Sequence, residues 1–343
     1  MTPSAARVAV VTAPGTLALA TREVEPGDGQ VLVRVRECGL CGSDVKLFSG
    51  THPAVKPPLV PGHEFHGTVE AVGPGVDGRR PGDRVSIFPP IGCGRCRPCR
   101  RGRPHLCARM SFVGGEHQGG LGELVAVPAA NALPIDPAVP EDLRVLIEPL
   151  AVGVHAAARG GAGPGDEALV VGAGPIGLFT ALALRHRGVE RIVLADVSDD
   201  RLALARRLGA GETVNSAEVP LLDHVREHLR LEGADLAFDC VGRQATAADA
   251  LAATAKGGRT VLVGIMPAEL TVDGVALQRG ERALIGVQQS TREDFATAMA
   301  ILAGGGLPAS PDLIRRYPLE DAGAAFAALV AGRTDVLKRV VRP

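Results

Sequence analysis

The first third of the chain is patterned in short apolar runs, "RVAVVTAPG", "QVLVRVRECG", "GTVEAVGPGVDG", "GDRVSIF" and "LGELVAVPA", with Gly, Pro and Asp between them. Runs of this length bounded by turn residues predict strands, so residues 7 to about 130 read as mainly β. Near residue 148 the texture changes. Apolar runs now alternate with Ala/Leu/Arg stretches of helical period: "EALVVGAG", "IGLFTALALRHRG", "RIVLADVS", "DRLALARRLGA". That alternation predicts repeated βαβ units and a parallel sheet. Further strands are expected at "ADLAFDCVG", "GRTVLVGI" and "RALIGVQ". The last segment predicts a helix from "DFATAMAILAGG", a turn at "YPLEDAG", an Ala-rich helix and a closing strand "VLKRVVRP". At 343 residues the chain exceeds the usual single-domain length, and two domains are expected.

Composition narrows the class. Apolar residues at 46% and charged residues at 22% are ordinary for a globular protein, and the 44 glycines show no collagen-like period. A formal charge of -1 supplies no overall field toward nucleic acid or an anionic membrane. The apolar run in "MTPSAARVAVVTAPG" is too short for a signal h-region, and no stretch reaches the roughly 18 apolar residues of a membrane span. A soluble, cytoplasmic protein without a membrane or nucleic-acid partner is the expectation. In a reducing compartment clustered cysteines are metal ligands or catalytic thiols more often than disulfides.

The segment "ALVVGAGPIGLFTALAL" holds Gly172, Gly174 and Gly177 in G-x-G-x-x-G spacing, with Pro175 and Ile176 between the last two. It follows an apolar strand and opens an Ala/Leu helix. In that context the first glycine permits the tight turn, the second admits a pyrophosphate to backbone N–H groups, and the third lets helix and strand pack closely. The next strand ends at Asp196, nineteen positions after Gly177, where a carboxylate can accept from both ribose hydroxyls. It would repel a 2'-phosphate, which favours NAD over NADP. Arg201 is the counter-signal, because a guanidinium there could take a phosphate or could lie on an outer helix face. Val241 closes a later strand at an end where a ligand could approach.

Six of the seven cysteines fall within residues 38–107. Cys93, Cys96, Cys99 and Cys107 are spaced C-x2-C-x2-C-x7-C. Four thiolates from one loop close a tetrahedral shell around Zn²⁺ and leave no position for a substrate, so this site reads as structural. An iron–sulfur cluster competes on ligand type, but the x7 spacing without a following Pro departs from ferredoxin motifs. Cys41, with His63 and Glu64, is a mixed S/N/O set of the kind zinc takes where one position stays open. Glu148, before a Pro at an expected helix start, could reach the same metal directly or through water. Singly, each has a plainer account: Cys41 a small core residue, Glu64 a surface charge, Glu148 a helix-terminal charge.

In this order "CGSD", "GHE", the four-cysteine loop, "EPL" and "VGAGPIG" resemble the zinc-dependent medium-chain alcohol dehydrogenases, in particular the sorbitol, L-threonine and related polyol branch. The resemblance spans essentially the whole chain. It implies an α/β fold class: a GroES-like β-rich catalytic domain over 1–148 with a structural zinc lobe at about 90–110, a Rossmann doubly wound parallel-sheet domain over 149–290, and a segment 291–343 returning to the catalytic domain. It implies two zinc ions per subunit, one catalytic and one structural, and a homodimer or homotetramer. On this sequence Cys41, His63 and Glu64 would form the catalytic zinc site, with Glu148 as ligand or water-bridged neighbour. Ser43 would take the hydroxyl proton, Asp44 would hold the His63 ring, and Val263, Gly264 and Ile265 would lie by the nicotinamide. Lys46 stands where many relatives have a relay histidine, so water or His52 would carry the proton outward unless Lys46 does. His66 and His155 are expected to pack or hydrogen-bond rather than ligate.

The implied reaction is reversible hydride transfer from a secondary alcohol, a polyol, amino alcohol or cyclitol, to NAD. An aromatic content of 3% without tryptophan agrees with a pocket that is not an aromatic slot. Two rivals differ in class. A zinc-free quinone or enoyl reductase on the same scaffold would have no use for a complete Cys41, His63 and Glu64 set. A zinc-ribbon nucleic-acid binder could use Arg95, Arg97, Arg100, Arg101 and Arg103, yet the near-zero net charge and the dinucleotide fingerprint oppose it.

Overall fold

The apolar runs before residue 135 become strands β1 (Ser4–Ala13), β2 (Thr16–Val24), β3 (Gln30–Gly39), β4 (Glu64–Val72), β5 (Arg84–Ile87), β6 (Pro90–Ile91), β7 (Ser111–Phe112), β8 (Leu124–Pro128) and β9 (Ala132–Pro134). Helices α1 (Gly42–Phe48) and α2 (Arg97–Arg100) interrupt them. The structure, a computed structural model, describes residues 3–52, 55–229, 232–308 and 310–343. The run "TLALATREV" was not among the expected strands. It forms β2, a largely exposed partner of β1, because its backbone pairs with β1 although little of its side-chain surface is buried.

After α3 (Ile147–Arg159) the expected alternation follows: β10 (Glu167–Val171), α4 (Pro175–His186), β11 (Arg191–Asp196), α5 (Asp199–Arg207), β12 (Glu212–Asn215), α6 (Leu221–His228), β13 (Ala234–Asp239), α7 (Gln244–Ala253), β14 (Thr254–Leu262), α8 (Gly274–Arg279), β15 (Ala283–Gly286) and α9 (Arg292–Ala303). The chain ends with β16 (Ile314–Pro318), α10 (Ala322–Val330) and β17 (Lys338–Arg342).

Two units result, Met1–Glu148 with Ser310–Pro343, and Pro149–Ala309. In the first, β16, β17, β3, β4, β5 and β9 lie in that order in a seven-stranded sheet, with β8 pairing β3. Its core gathers Val31, Val33, Phe65, Val85, Ile87, Val125 and Phe326, the inward positions of those strands and of α10. Register here assembles a site. Gly39 pairs across to Glu64 on β4, and Val340 of β17 pairs with the same Gly39. The end of β3, the start of β4 and the start of β17 therefore meet where the chain runs on into α1.

The second unit is a parallel six-stranded sheet in the order β12-β11-β10-β13-β14-β15. Chain order reverses beside β10, which is the arrangement of a doubly wound dinucleotide fold with its ligand crevice at the strand ends. Strands buried on both faces read as continuous apolar runs, and β10 is buried along its whole length. The expected returning segment starts too early at 291. Helix α9 belongs to the second unit, because Phe295, Ala298, Ile301 and Leu302 bury an apolar face there and Asp294 pairs with His155 at 2.8 Å. Only the chain from Ser310 rejoins the first unit.

Candidate metal centres and dinucleotide site

Cys41 is the N-cap of α1, so the strand-to-helix turn fixes its thiol at the end of β3. Asp44, fully buried in the first turn of α1, ties the site together. Its Oδ2 accepts from the Cys41 N–H at 2.8 Å, its Oδ1 accepts from the Gly62 N–H at 3.3 Å, and Oδ1 lies 3.5 Å from His63 Nδ1. One carboxylate thus positions both chain segments that carry a thiol and an imidazole. Ser43, half-buried, lies on the same first turn.

Cys41, His63 and Glu64 offer one donor atom each, all within 4.8 Å of one another. Two further buried atoms there face charged partners: His63 Nδ1 lies 3.5 Å from Asp44 and Glu64 Oε2 lies 2.6 Å from the Lys338 ammonium. A thiol, an imidazole and a carboxylate oxygen converging on one point are donors zinc accepts, so these residues fit the ion. The electrostatics agree. Burial alone would lower the pKa of His63, but the Asp44 carboxylate and the Cys41 sulfur outweigh it and hold the pKa well above the ordinary value. The surroundings of His63 favour positive charge.

Lys338 is the residue that the sequence did not signal. Its ammonium is buried, lies 2.6 Å from both Glu64 oxygens and donates a hydrogen bond to Oε1. Burial works to lower its pKa, but Glu64 and Cys41 together raise it, so it stays protonated. Gly39 makes the room: a Cβ there would stand 2.5 Å from Glu64 Oε2. Glu148, in the first turn of α3, is buried but falls outside the 4.8 Å donor set. Burial pushes its carboxyl up to about 7, partly offset by His63 and Lys338.

The outer relay positions lie on or just after α1. Lys46 is half-buried on the helix, and its carbonyl accepts from the N–H groups of Thr51 and His52. The His52 ring has its Nδ1 committed to the Val55 N–H at 3.0 Å, and Phe112 stands 6.0 Å from His52 and 6.3 Å from His63, centroid to centroid. Cys38 is a core thiol, fully buried, with burial pushing its pKa well up. His66 is buried 3.9 Å from Glu37. Cys240 is likewise pushed up to about 12 by burial.

Cys93, Cys96, Cys99 and Cys107 also bring their sulfurs within 4.8 Å of one another. Backbone N–H groups are aimed at them. Cys107 Sγ accepts from Cys93 N at 3.4 Å and Arg109 N at 3.3 Å, while the Arg95 and Cys96 amides bring Cys93 down to about 5. Partial burial and the neighbouring Cys96 push Cys99 the other way, to about 11. A loop that already favours thiolate at some positions fits a dication that four sulfurs enclose. All five lobe arginines, from Arg95 to Arg103, are exposed.

In the second unit the three glycines occupy the positions the fingerprint requires. Gly172 has φ +98°, a Cβ on Gly177 would stand 1.7 Å from the Gly172 carbonyl oxygen, and Gly174, the N-cap of α4, faces open space. Pro175 and Ile176 begin α4, whose N-terminus therefore presents free N–H groups toward that space. Asp196, nearly buried at the end of β11, accepts from Ala173 N at 2.8 Å and Ser198 N at 2.9 Å, which leaves each oxygen a second lone pair. Arg201 of α5 stands 3.5 Å from Asp196 Oδ2. Val241 follows β13, and Val263 and Gly264 donate their N–H groups to the Asp239 carbonyl. Val241 and Ile265 are exposed apolar side chains, at 40% and 61%.

Comparison with known proteins follows the same division. Residues 27–137 match the alcohol dehydrogenase GroES-like domain, and residues 175–304 match the zinc-binding dehydrogenase domain. The L-threonine 3-dehydrogenase of Streptomyces avermitilis is 36% identical over 325 residues, covering 93% of this chain and 94% of that protein. An alcohol dehydrogenase from Escherichia coli CFT073, solved with NADH, superposes with a TM-score of 0.91 at 29% identity over 99% of this chain and 100% of that one. A zinc-binding dehydrogenase from Sinorhizobium meliloti 1021, solved with NADP, gives 0.91 at 27% identity over 99% and 100%.

Proposed function

The chain belongs to the zinc-type medium-chain alcohol dehydrogenase family and is an NAD(P)-dependent alcohol dehydrogenase, and on that premise we propose which residues act, on what and with which cofactor. The substrate class is a secondary alcohol that carries neighbouring polar groups: a polyol, an amino alcohol such as L-threonine, or a cyclitol. Cys41, His63 and Glu64 hold the catalytic zinc, and the four-cysteine lobe holds a second, structural zinc. The observation that carries this reading is the convergence of the Cys41, His63 and Glu64 donor atoms within 4.8 Å.

When bound, zinc acts as a Lewis acid toward an alcohol oxygen and the nicotinamide ring accepts the hydride. The chain's own groups do the rest. Ser43 accepts the hydroxyl proton and passes it on through water, because His52 has its Nδ1 occupied. Asp44 keeps Cys41 and His63 in place through the Cys41 and Gly62 amides. Lys338 pairs with Glu64, its ammonium 2.6 Å from both carboxylate oxygens, and so balances the charge of that ligand and holds its orientation. Glu148 supports the site from the start of α3, directly or through water. At the second unit, Asp196 selects NAD: its free lone pairs suit two ribose hydroxyls, and its charge opposes a 2'-phosphate. Arg201 supports that carboxylate rather than a phosphate.

The test is a panel of polyols, amino alcohols and cyclitols with NAD and NADP, read as reduced-cofactor absorbance before and after chelation and zinc return. Turnover with NAD that disappears on chelation and recovers with zinc is expected. Turnover that survives full removal of metal would overturn the metal assignment, and a preference for NADP would overturn the role of Asp196. Zinc held at the two sulfur-containing sites should approach two per chain, and light scattering should report a dimer or tetramer. No helix among the described residues is long and apolar enough to cross a membrane.

A further inference from the structure

The second unit carries another group of metal-ligand side chains, which neither the zinc sites nor the dinucleotide fingerprint uses. Glu212 is the first residue of β12, the edge strand of the parallel sheet, and His224 and His228 lie one turn apart on α6. Residues four apart on a helix share a face, so both imidazoles point the same way. Their rings stack with centroids 3.9 Å apart at 17°. The three residues each offer a donor atom, all within 4.8 Å of one another.

The hydrogen bonds set the tautomer of one ring. His228 Nδ1 lies 3.0 Å from the His224 carbonyl oxygen, and since a carbonyl can only accept, Nδ1 carries the proton. In the neutral ring Nε2 then holds a lone pair, and it stands 3.2 Å from Glu212 Oε1. A ring nitrogen whose partner nitrogen donates to a carbonyl is the usual state of a metal-ligating histidine. His224 Nε2 lies 3.8 Å from the same oxygen, is buried and makes no hydrogen bond. With metal–nitrogen bonds of about 2.0–2.1 Å, a tetrahedron places neighbouring donors roughly 3.3–3.4 Å apart, and the two observed separations bracket that value.

The last turn of α6 is also held from behind. Arg191 donates to the His228 carbonyl and, at 3.3 Å, to the Leu229 carbonyl, while its other nitrogen pairs with Glu167 at 2.8 Å. That guanidinium is engaged with carbonyls and Glu167. Val225, on the same helix, is fully buried in the core of the unit. The helix backbone that carries the imidazoles is therefore fixed, and binding one ion needs only a turn of the two stacked rings about their side-chain bonds to bring both lone pairs onto it.

We propose that Glu212, His224 and His228 form a third metal site, a two-histidine, one-carboxylate centre for Zn²⁺ or a similar borderline divalent ion, which clamps α6 to the edge strand β12. Water completes the shell on the exposed side of Glu212. A sheet edge is the part of such a unit most open to fraying and strand addition, and a clamp there stiffens it.

The experiment uses the full-length enzyme, already loaded at its sulfur sites, in equilibrium dialysis against Zn²⁺ alone with metal counted per chain. Wild type is expected to take up one equivalent more than His228→Gln, His224→Gln or Glu212→Gln, each of which weakens the added site at least ~10–100-fold. Added zinc should raise the thermal midpoint of wild type and leave that of the variants unchanged, with alcohol turnover the same in all four. Co²⁺ bound at the added site should give only the weak visible bands of nitrogen and oxygen ligands, without the strong near-ultraviolet thiolate transitions of the sulfur sites. Equal zinc content in wild type and all three variants, or a cobalt spectrum of the added equivalent that contains thiolate transitions, overturns the proposal. Neither outcome touches the zinc-dependent reading of Cys41, which fails only through loss of its own metal dependence.

Discussion

On the proposed reading the four-cysteine lobe and the Cys41 site hold the same ion, yet they are made in opposite ways. The lobe draws all four sulfurs from residues 93–107, supports them with local backbone N–H groups, and leaves its arginines in solvent. The Cys41 site draws a thiol, an imidazole and a carboxylate from two chain segments and then adds Lys338, 274 residues from Glu64. The difference follows from the task. An enclosed ion needs only donors, which one loop can supply. An ion that must leave a position open to substrate needs its donors oriented and its field balanced, and Asp44 does that from the first turn of α1 and Lys338 from β17.

The sharpest break between the two is Cys41→Ala. Turnover should fall on the order of 10⁴-fold, about 5.5 kcal/mol in transition-state stabilisation, while NAD affinity stays within roughly twofold. Reduced-cofactor formation and a cofactor titration measure both, and wild-type turnover in this variant would remove the distinction altogether. The converse change, Cys99→Ser, should cost the lobe its zinc and lower stability by about 4 kcal/mol in denaturant unfolding, as loss of a structural metal does. Its loss of turnover should be far smaller than that of Cys41→Ala. If the two variants lose activity equally at unchanged stability, the lobe is not merely structural.

The same contrast explains what could be read in the sequence. The lobe's spacing is its structure, since all ligands lie in one loop. The glycine fingerprint was legible for the same reason, because Gly172 and Gly177 are required by a turn and a close approach within a few residues. Cys41, His63 and Glu64 could be picked out as a set, and the resemblance to a family pointed to their roles. Lys338 could not. In "VLKRVVRP" it reads as one more charged residue at the start of a strand, and only the pairing of β17 and β4 to Gly39 brings it to Glu64. Helix α9 was misjudged because its apolar face does not say which unit buries it. The His224 and His228 pair had a local signal in their i, i+4 spacing, but Glu212 reaches them only through the packing of α6 against the sheet.

Lys338→Met sharpens the comparison from the side of tertiary structure. It leaves Glu64 buried beside other carboxylates without its cation, and unfolding free energy should drop by about 3 kcal/mol in metal-depleted protein. Adding Glu64→Gln to the same chain should restore more than half of that loss, since no uncompensated charge remains. A double variant as unstable as the single one would mean that the lysine acts through packing alone.

The smallest effect is a control on the same sheet. Glu37 of β3 is buried like Glu64, but its partners are His66 at 3.9 Å and the guanidinium groups of Arg316 and Arg342, each at 2.7 Å. Burial works against its ionisation, yet those three groups prevail and bring its pKa down to about 2 from an ordinary 4.5. A carboxylate depressed on folding adds stability above its unfolded pKa, and that contribution fades as pH falls from about 4.5 through about 2. Glu37→Gln should therefore cost on the order of 2 kcal/mol at neutral pH, and the gap to wild type should close as the solution is acidified across that window. Zinc content and turnover at neutral pH should not move. A fall in turnover comparable to that of the Cys41 variant would show that any buried carboxylate on this sheet, and not the arrangement around Cys41, sustains the chemistry.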